Sequence, residues 1–137
     1  AAAEEGVLCG IRSIALSRVG WFADGGSFAA AVEYVADNLT YLYDNCKPYS
    51  LLNINVPNLP LSQASGVKVC PLNTSRIFFD RFERVENDMW RISGERAPLP
   101  KSYDDITLSE EGFITITPVS VLRTDYDLLE KLEGADK

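Results

Sequence analysis

The sequence predicts an α/β protein: a layered α/β domain in its first part, followed by β-rich segments that include a projecting hairpin, and a closing helix. Three observations carry this. Phe28, Val32, Val35, Leu39 and Leu42 recur at steps of four and three, the period of an amphipathic helix. On either side lie short apolar runs, Ile14-Ala15-Leu16 and Leu51 to Val56, which suit buried strands of a mainly parallel sheet. From Gly66 onward the period falls to two in successive segments, with no long helix between them.

The elements follow in order. Ala1 to Cys9 reads as a helix, with Ala1, Glu4, Glu5 and Leu8 at helical spacing and Gly10 as its stop. Ile11 to Arg18 reads as the first strand. After the polar loop Asp24-Gly25-Gly26, Ser27 is placed to cap the long helix, and Pro48 lies beyond its end. Leu51 to Val56 is the next strand, so the rhythm is α-β-α-β. Val67 to Cys70, Ile77 to Val85, Met89 to Ile92 and Gly112 to Val121 read as strands. Glu86-Asn87-Asp88 is the turn of a hairpin. Phe78, Phe79, Phe82 and Trp90 are too many aromatics for an isolated two-stranded arm in water. The arm must therefore pack on its own domain or on a second subunit. Ala97 to Ser102, with Pro98 and Pro100, is a loop. Pro118 is expected to interrupt the last strand. Thr124 and Asp127 resemble a capping box that opens a final helix over Leu128, Leu129 and Leu132. We expect one domain: an α/β portion over 1–65, the hairpin arm within 66–111, and the last strand and helix over 112–137.

Composition narrows the functions. The 137 residues are 46% hydrophobic and 24% charged, the balance of a globular protein with one modest core. No apolar run approaches the roughly 18 residues of a membrane span. The first residues lack the basic and apolar regions of a signal peptide, so a cytoplasmic location is expected. Cys9, Cys46 and Cys70 are odd in number and widely spaced, which argues for free thiols; Cys9 and Cys70 lie in apolar patterns and are expected to be buried. The absence of histidine removes the commonest general base and metal ligand from these residues. A net charge of −7 repels a polyphosphate chain, so no nucleic-acid polymer is expected as partner. A small phosphate ester remains open.

Three segments then carry a resemblance. Ala1-Ala2-Ala3-Glu4-Glu5-Gly6 leads to Ile14-Ala15-Leu16-Ser17; Leu52-Asn53-Ile54-Asn55-Val56-Pro57 follows; then Asp105 precedes Gly112-Phe113-Ile114-Thr115-Ile116-Thr117-Pro118. In this order they resemble the carboxy-terminal part of the SurE family, through nearly the whole chain. The resemblance implies a SurE-like layered α/β fold with an extended hairpin arm and a tail helix. It also implies hydrolysis of nucleoside monophosphates with a divalent metal ion, Mg2+ or Mn2+. The family's metal site rests on an Asn-Asp-Asp-Gly motif, a serine and an asparagine, none of which falls in this chain. Its Ser-Gly-Thr would lie just before Ala1. We therefore expect no catalytic and no metal residue here, and a chain that is inactive alone. A non-catalytic oligomerisation module is the alternative. Arm and tail exchange between subunits in the family, so a homodimer or homotetramer is implied, with Phe78, Phe79, Phe82 and Trp90 at its interface. Packing of these aromatics within one chain is the competing reading.

Asp104 and Asp105 are adjacent and would point to opposite faces of a strand, so they read as a solvated turn. Glu110-Glu111 read likewise. Asn53 and Asn55 share one strand face, suited to structural hydrogen bonds or to a pocket wall. Ser17 ends a parallel-type strand, where ligand-binding loops begin in open α/β sheets. Cys70-Pro71 replaces a Thr-Arg of the family. Arg76 stands near a second family arginine, able to hold a phosphate or to pair with Asp80, Glu83 or solvent. Ser17, Asn53 and Arg76 are thus the expected pocket rim.

Overall fold

One edge-to-edge alternation, apolar Leu52, Ile54 and Val56 against polar Asn53 and Asn55, decides which side of the sheet becomes core. In the computed structural model, residues 2–20, 27–75, 78–86, 88–96 and 101–135 are described. They form α1 (Ala2–Leu8), β1 (Ile14–Arg18), α2 (Ala29–Asn45), β2 (Ser50–Val56), β3 (Val67–Val69), β4 (Phe78–Arg84), β5 (Trp90–Arg96), α3 (Asp105–Glu110), β6 (Ile114–Ser120) and α4 (Tyr126–Ala135). The main sheet has the order β1-β2-β6-β3, and β4 and β5 form a separate two-stranded arm. β1 is parallel to β2 and β3 is parallel to β6, while β6 runs antiparallel to β2. The last strand is thus inserted between β2 and β3. No local pattern announces that placement.

Register sorts the two faces. Ile54 stands opposite Ile116, while Asn53 and Asn55 stand opposite Thr117 and Thr115. On the apolar face, Leu52, Ile54, Val56, Ile114 and Ile116 join Ala31, Tyr34, Leu42 and Cys46 in the core. Burial of these side chains at roughly 25 cal/mol per Å2 is the main drive holding α2 on the sheet.

Several local expectations are refined. Gly10 ends α1 at φ +78°, with Ile11 N–H bonded to Gly6 O and Gly10 N–H to Val7 O, a Schellman pair. Cys9 falls in this terminal turn and is exposed, whereas Cys46 and Cys70 are buried. On α2, Ser27 Oγ accepts from the Ala29 amide at 3.1 Å, although Phe28 is the boundary residue. The inward stripe of α2 is rotated from the one the periodicity predicts. Ala31, Tyr34 and Leu42 are buried, while Val32 is 60% and Leu39 54% exposed. Ala31 is too small and Tyr34 too polar to dominate a hydrophobic count, so the larger aliphatics were misread as the core face.

Pro118 lies within β6 rather than breaking it. Ile114 N–H and Ile116 O both face β3, bonding Gly66 O and Cys70 N–H. Two residues on, Pro118 N points to the same side, beyond the last β3 pair at Val69. A missing donor there costs no ladder bond. The cap of α4 is Asp125, whose Oδ1 accepts from Leu128 N–H at 2.9 Å, in place of the expected Thr124. Helix α3 was not foreseen at all.

These assignments make a direct test of the rotated stripe. Leu42→Ala, at a fully buried site, is expected to cost about 2–5 kcal/mol in urea unfolding. Leu39→Ala is expected to stay within about 0.5 kcal/mol of the parent. Equal losses would contradict the orientation of α2.

Candidate functional site

The face of the sheet opposite α2 carries the polar residues. Ser17 of β1 is in register with Asn55 of β2, and Ala15 with Asn53. Ser17 is exposed, Asn53 and Asn55 are half-buried, and Thr115 and Thr117 are buried. Three strands, β1, β2 and β6, thereby present one polar strip, with Ser17 at its open end near the carboxyl ends of β1 and β2. Asn53 stands in the same strip, between Ala15 and Thr117. Arg76 lies outside the described residues. By this register Ser17 and Asn53 share one face of the sheet.

Beneath this strip runs a hydrogen-bonded seam that the sequence reading missed. Asn55 Nδ2 donates to Asp105 Oδ2 at 3.2 Å and to Thr115 Oγ1 at 3.3 Å. Asp105 Oδ1 accepts from the Asn73 amide at 2.6 Å. Asn73 Nδ2 donates to Asp104 Oδ2 at 2.7 Å, and Asp104 Oδ1 accepts from Thr107 N–H at 2.8 Å. Ser102 also donates to Asp104. Asp104 and Asp105 are each only 5% exposed. They are not the solvated turn expected: Asp104 is the N-cap of α3, and Asp105 is the helix's first residue. An Asp standing just before the apolar Ile106 and Leu108 was the available signal.

Electrostatics follow from the same bonds. Burial opposes charge on Asp104, but hydrogen bonds from Ser102, the Thr107 amide and Asn73 outweigh it and hold the carboxyl below its ordinary range. Burial pushes the Cys70 thiol up, with its Sγ 3.9 Å from Thr117 Oγ1. Cys46 is likewise raised by burial. Both remain protonated thiols near neutral pH and are poor nucleophiles.

The carboxylates of this seam do not suit a cation. Every oxygen of Asp104 and Asp105 already accepts a hydrogen bond from the protein. Among the described residues, no group of three or more Cys, Asp or Glu side chains converges as ion ligands. A groove of about 500 Å3 lies between the start of α2 and the segment after β2, with Ser27, Glu33, Asn58 and Ser62 on its walls. Neither Ser17 nor Asn53 lines it. What the site offers is hydrogen bonding and shape.

The arm places the other candidates. Phe82 pairs with Ile92 and Arg84 with Trp90, so Phe82 and Trp90 share one face of the hairpin. They are 67% and 63% exposed. The opposite face is polar: Glu83 accepts from Ser93 Oγ at 2.8 Å and from Arg91 at 3.0 Å. Phe78 and Phe79 occupy β4, opposite Arg96 and Glu95 of β5.

Comparison with known proteins gives a consistent set of relatives. A family model described as survival protein SurE matches residues 1–78. The 5'-nucleotidase SurE of Symbiobacterium thermophilum is 31% identical over 138 residues, spanning 96% of this chain and 53% of that protein. The 5'-nucleotidase SurE of Desulfitobacterium hafniense is 33% identical over 134 residues, covering 96% of this chain and 51% of its own length. In fold, the crystal structure of the SurE protein from Aquifex aeolicus superposes with a TM-score of 0.74 at 23% identity. That match covers 98% of this chain and 56% of the other. The chain spans about half the length of the curated relatives it matches.

The seam yields a pH test. A carboxyl with a depressed folded-state pKa stabilises above its unfolded value and loses that contribution as pH falls through the folded one. Asp104→Ala is therefore expected to lower stability at pH 7 by about 1–2 kcal/mol, the cost of a lost helix cap. The gap to the parent should close on acidification below the ordinary carboxylate range. A pH-independent gap would show that the charged form of Asp104 is not what the seam holds.

Proposed function

Because this chain belongs to the SurE family, we propose that it is the carboxy-terminal part of a 5'/3'-nucleotidase, a phosphoric monoester hydrolase acting on nucleoside monophosphates. The observation that carries the reading is alignment across nearly the whole chain with proteins named 5'-nucleotidase. That naming also disfavours a non-catalytic module. Its divalent cation, Mg2+ or Mn2+, is assigned to residues other than those described, since the carboxylates here are already committed to backbone and side-chain donors. This chain's contribution is a wall: Ser17 and Asn53, with Arg76, form the rim against which a substrate is oriented. No helix of the described residues is long and apolar enough to cross a membrane. A cytoplasmic location, with access to nucleotide pools, fits this reading.

The arm supports a homo-oligomer, dimer or tetramer, in which arm and tail exchange between subunits. The chain exposes 10009 Å2, whereas a compact monomer of this mass would expose about 7,100 Å2. The difference is surface for the rest of the protein and for a second copy. Leu128, Leu129 and Leu132 on α4 are exposed, as are Phe82 and Trp90 on the arm.

The whole protein is expected to release phosphate from nucleoside 5'-monophosphates on addition of Mg2+ or Mn2+, and to stop on chelation. The 137-residue chain alone is expected to release none; metal-stimulated turnover by it would place the catalytic groups among these residues. In the whole protein, Ser17→Ala or Asn53→Ala should cost about tenfold or less in kcat/KM, the worth of one neutral hydrogen bond. A loss of several hundredfold would make them more than a rim. Sedimentation should show Trp90→Ala shifting mass toward the monomer, and an unchanged oligomer would remove the arm from the interface.

A further inference from the structure

Ser75 is the last described residue before the arm and Lys101 the first after it; among the described residues, β4 and β5 pack on each other and not extensively on another element. A two-stranded ribbon with no such support has its direction set at its base. The base is tied by four hydrogen bonds between the segment entering the arm and the segment leaving it. Asn73 Nδ2 donates to Asp104 Oδ2 at 2.7 Å, and Asn73 N–H to Asp105 Oδ1 at 2.6 Å. Asp105 N–H donates to Pro71 O at 3.0 Å, and Tyr103 Oη to Val69 O at 3.2 Å. Asn73 Oδ1 additionally accepts from Ser75 N–H at 2.8 Å, closing a turn that fixes the entering strand's first step. Through Asn55 and Thr115 the same carboxylate is anchored to the centre of the sheet.

We propose that Asn73, with Asp104 and Asp105, is a positioning clamp that fixes the direction in which the β4–β5 arm leaves the body, and so presents Phe82 and Trp90 to a second copy. Asn73 joins entry to exit by both its side-chain and its main-chain amide. Its donor and its acceptor sit on two separate atoms and both are used, so neither a single hydroxyl nor an aliphatic side chain reproduces it. Asp104 and Asp105 double as cap and first residue of α3, which couples the arm's base to the packing of that helix on β6 and β2. The consequence for a partner chain rests on the oligomer reading above; the clamp itself does not.

The experiment measures arm direction and mass separately. Spin labels are placed at Met89→Cys on the arm and Asp37→Cys on α2, in a Cys9→Ser background, with the labelled chain diluted into unlabelled chain. Distances are then read by pulsed electron resonance. The parent and Thr74→Ala are expected to give one narrow distribution, and Asn73→Ala a distribution at least twice as wide with far-UV circular dichroism retained. A folded Asn73→Ala with the parent's width overturns the clamp. Should Asn73→Ala fail to fold, Tyr103→Phe removes a different tie and is expected to broaden the distribution less; an unchanged width there overturns the proposal equally. Sedimentation of the same samples reads the oligomer: a parent that stays monomeric refutes the interface reading while the distance distribution still decides the clamp.

Discussion

The structure depends on one buried polar seam, the chain of hydrogen bonds from Thr115 through Asn55, Asp105 and Asn73 to Asp104. Two carboxylates taken out of water would be costly if unpaired. Here each oxygen is met by a donor, so the penalty becomes a constraint: only one arrangement of β2, β6, α3 and the 71–75 segment satisfies all of them. The apolar face of the sheet tolerates small repacking. The polar face does not.

That difference gives the two sides of the sheet separate tasks. Leu52, Ile54, Val56, Ile114 and Ile116 hold α2 by burial. Asn53, Asn55, Thr115 and Thr117 form the opposite, polar face, on which Thr115 and Thr117 are buried and Ser17 is exposed. Its polar groups, amides and hydroxyls, are hydrogen-bonding groups rather than charged ones. This is the physical ground on which the proposal above gives the chain a wall of the pocket rather than its cation site. The same seam also joins the segment before the arm to the segment after it through Asn73, Asp104 and Asp105.

Much of this was legible where the signal was local. The alternation in Leu52-Asn53-Ile54-Asn55-Val56 fixes that strand and both its faces, and Gly10 marks the end of α1 through its positive φ. What was not legible depended on partners distant in sequence. β3 ends opposite Ile116, so the side toward which Pro118 N points has no β3 partner, which no inspection of the strand alone reveals. The buried state of Asp104 and Asp105 depends on Asn73 and Asn55, 31 and 50 residues away; read in isolation, two adjacent aspartates look like a turn. The stripe of α2 was misjudged because Ala31 and Tyr34 score weakly as hydrophobes though the sheet buries them.

Amide exchange in the chain at neutral pH addresses the seam most directly. The Asn73 and Thr107 amides, bonded to the carboxylates of Asp105 and Asp104, should exchange as slowly as the β2 amides, and Asp105→Ala should release Asn73 by orders of magnitude while leaving β2 protected. If Asn73 instead exchanges at the rate of an open loop in the parent, the seam does not hold this face together.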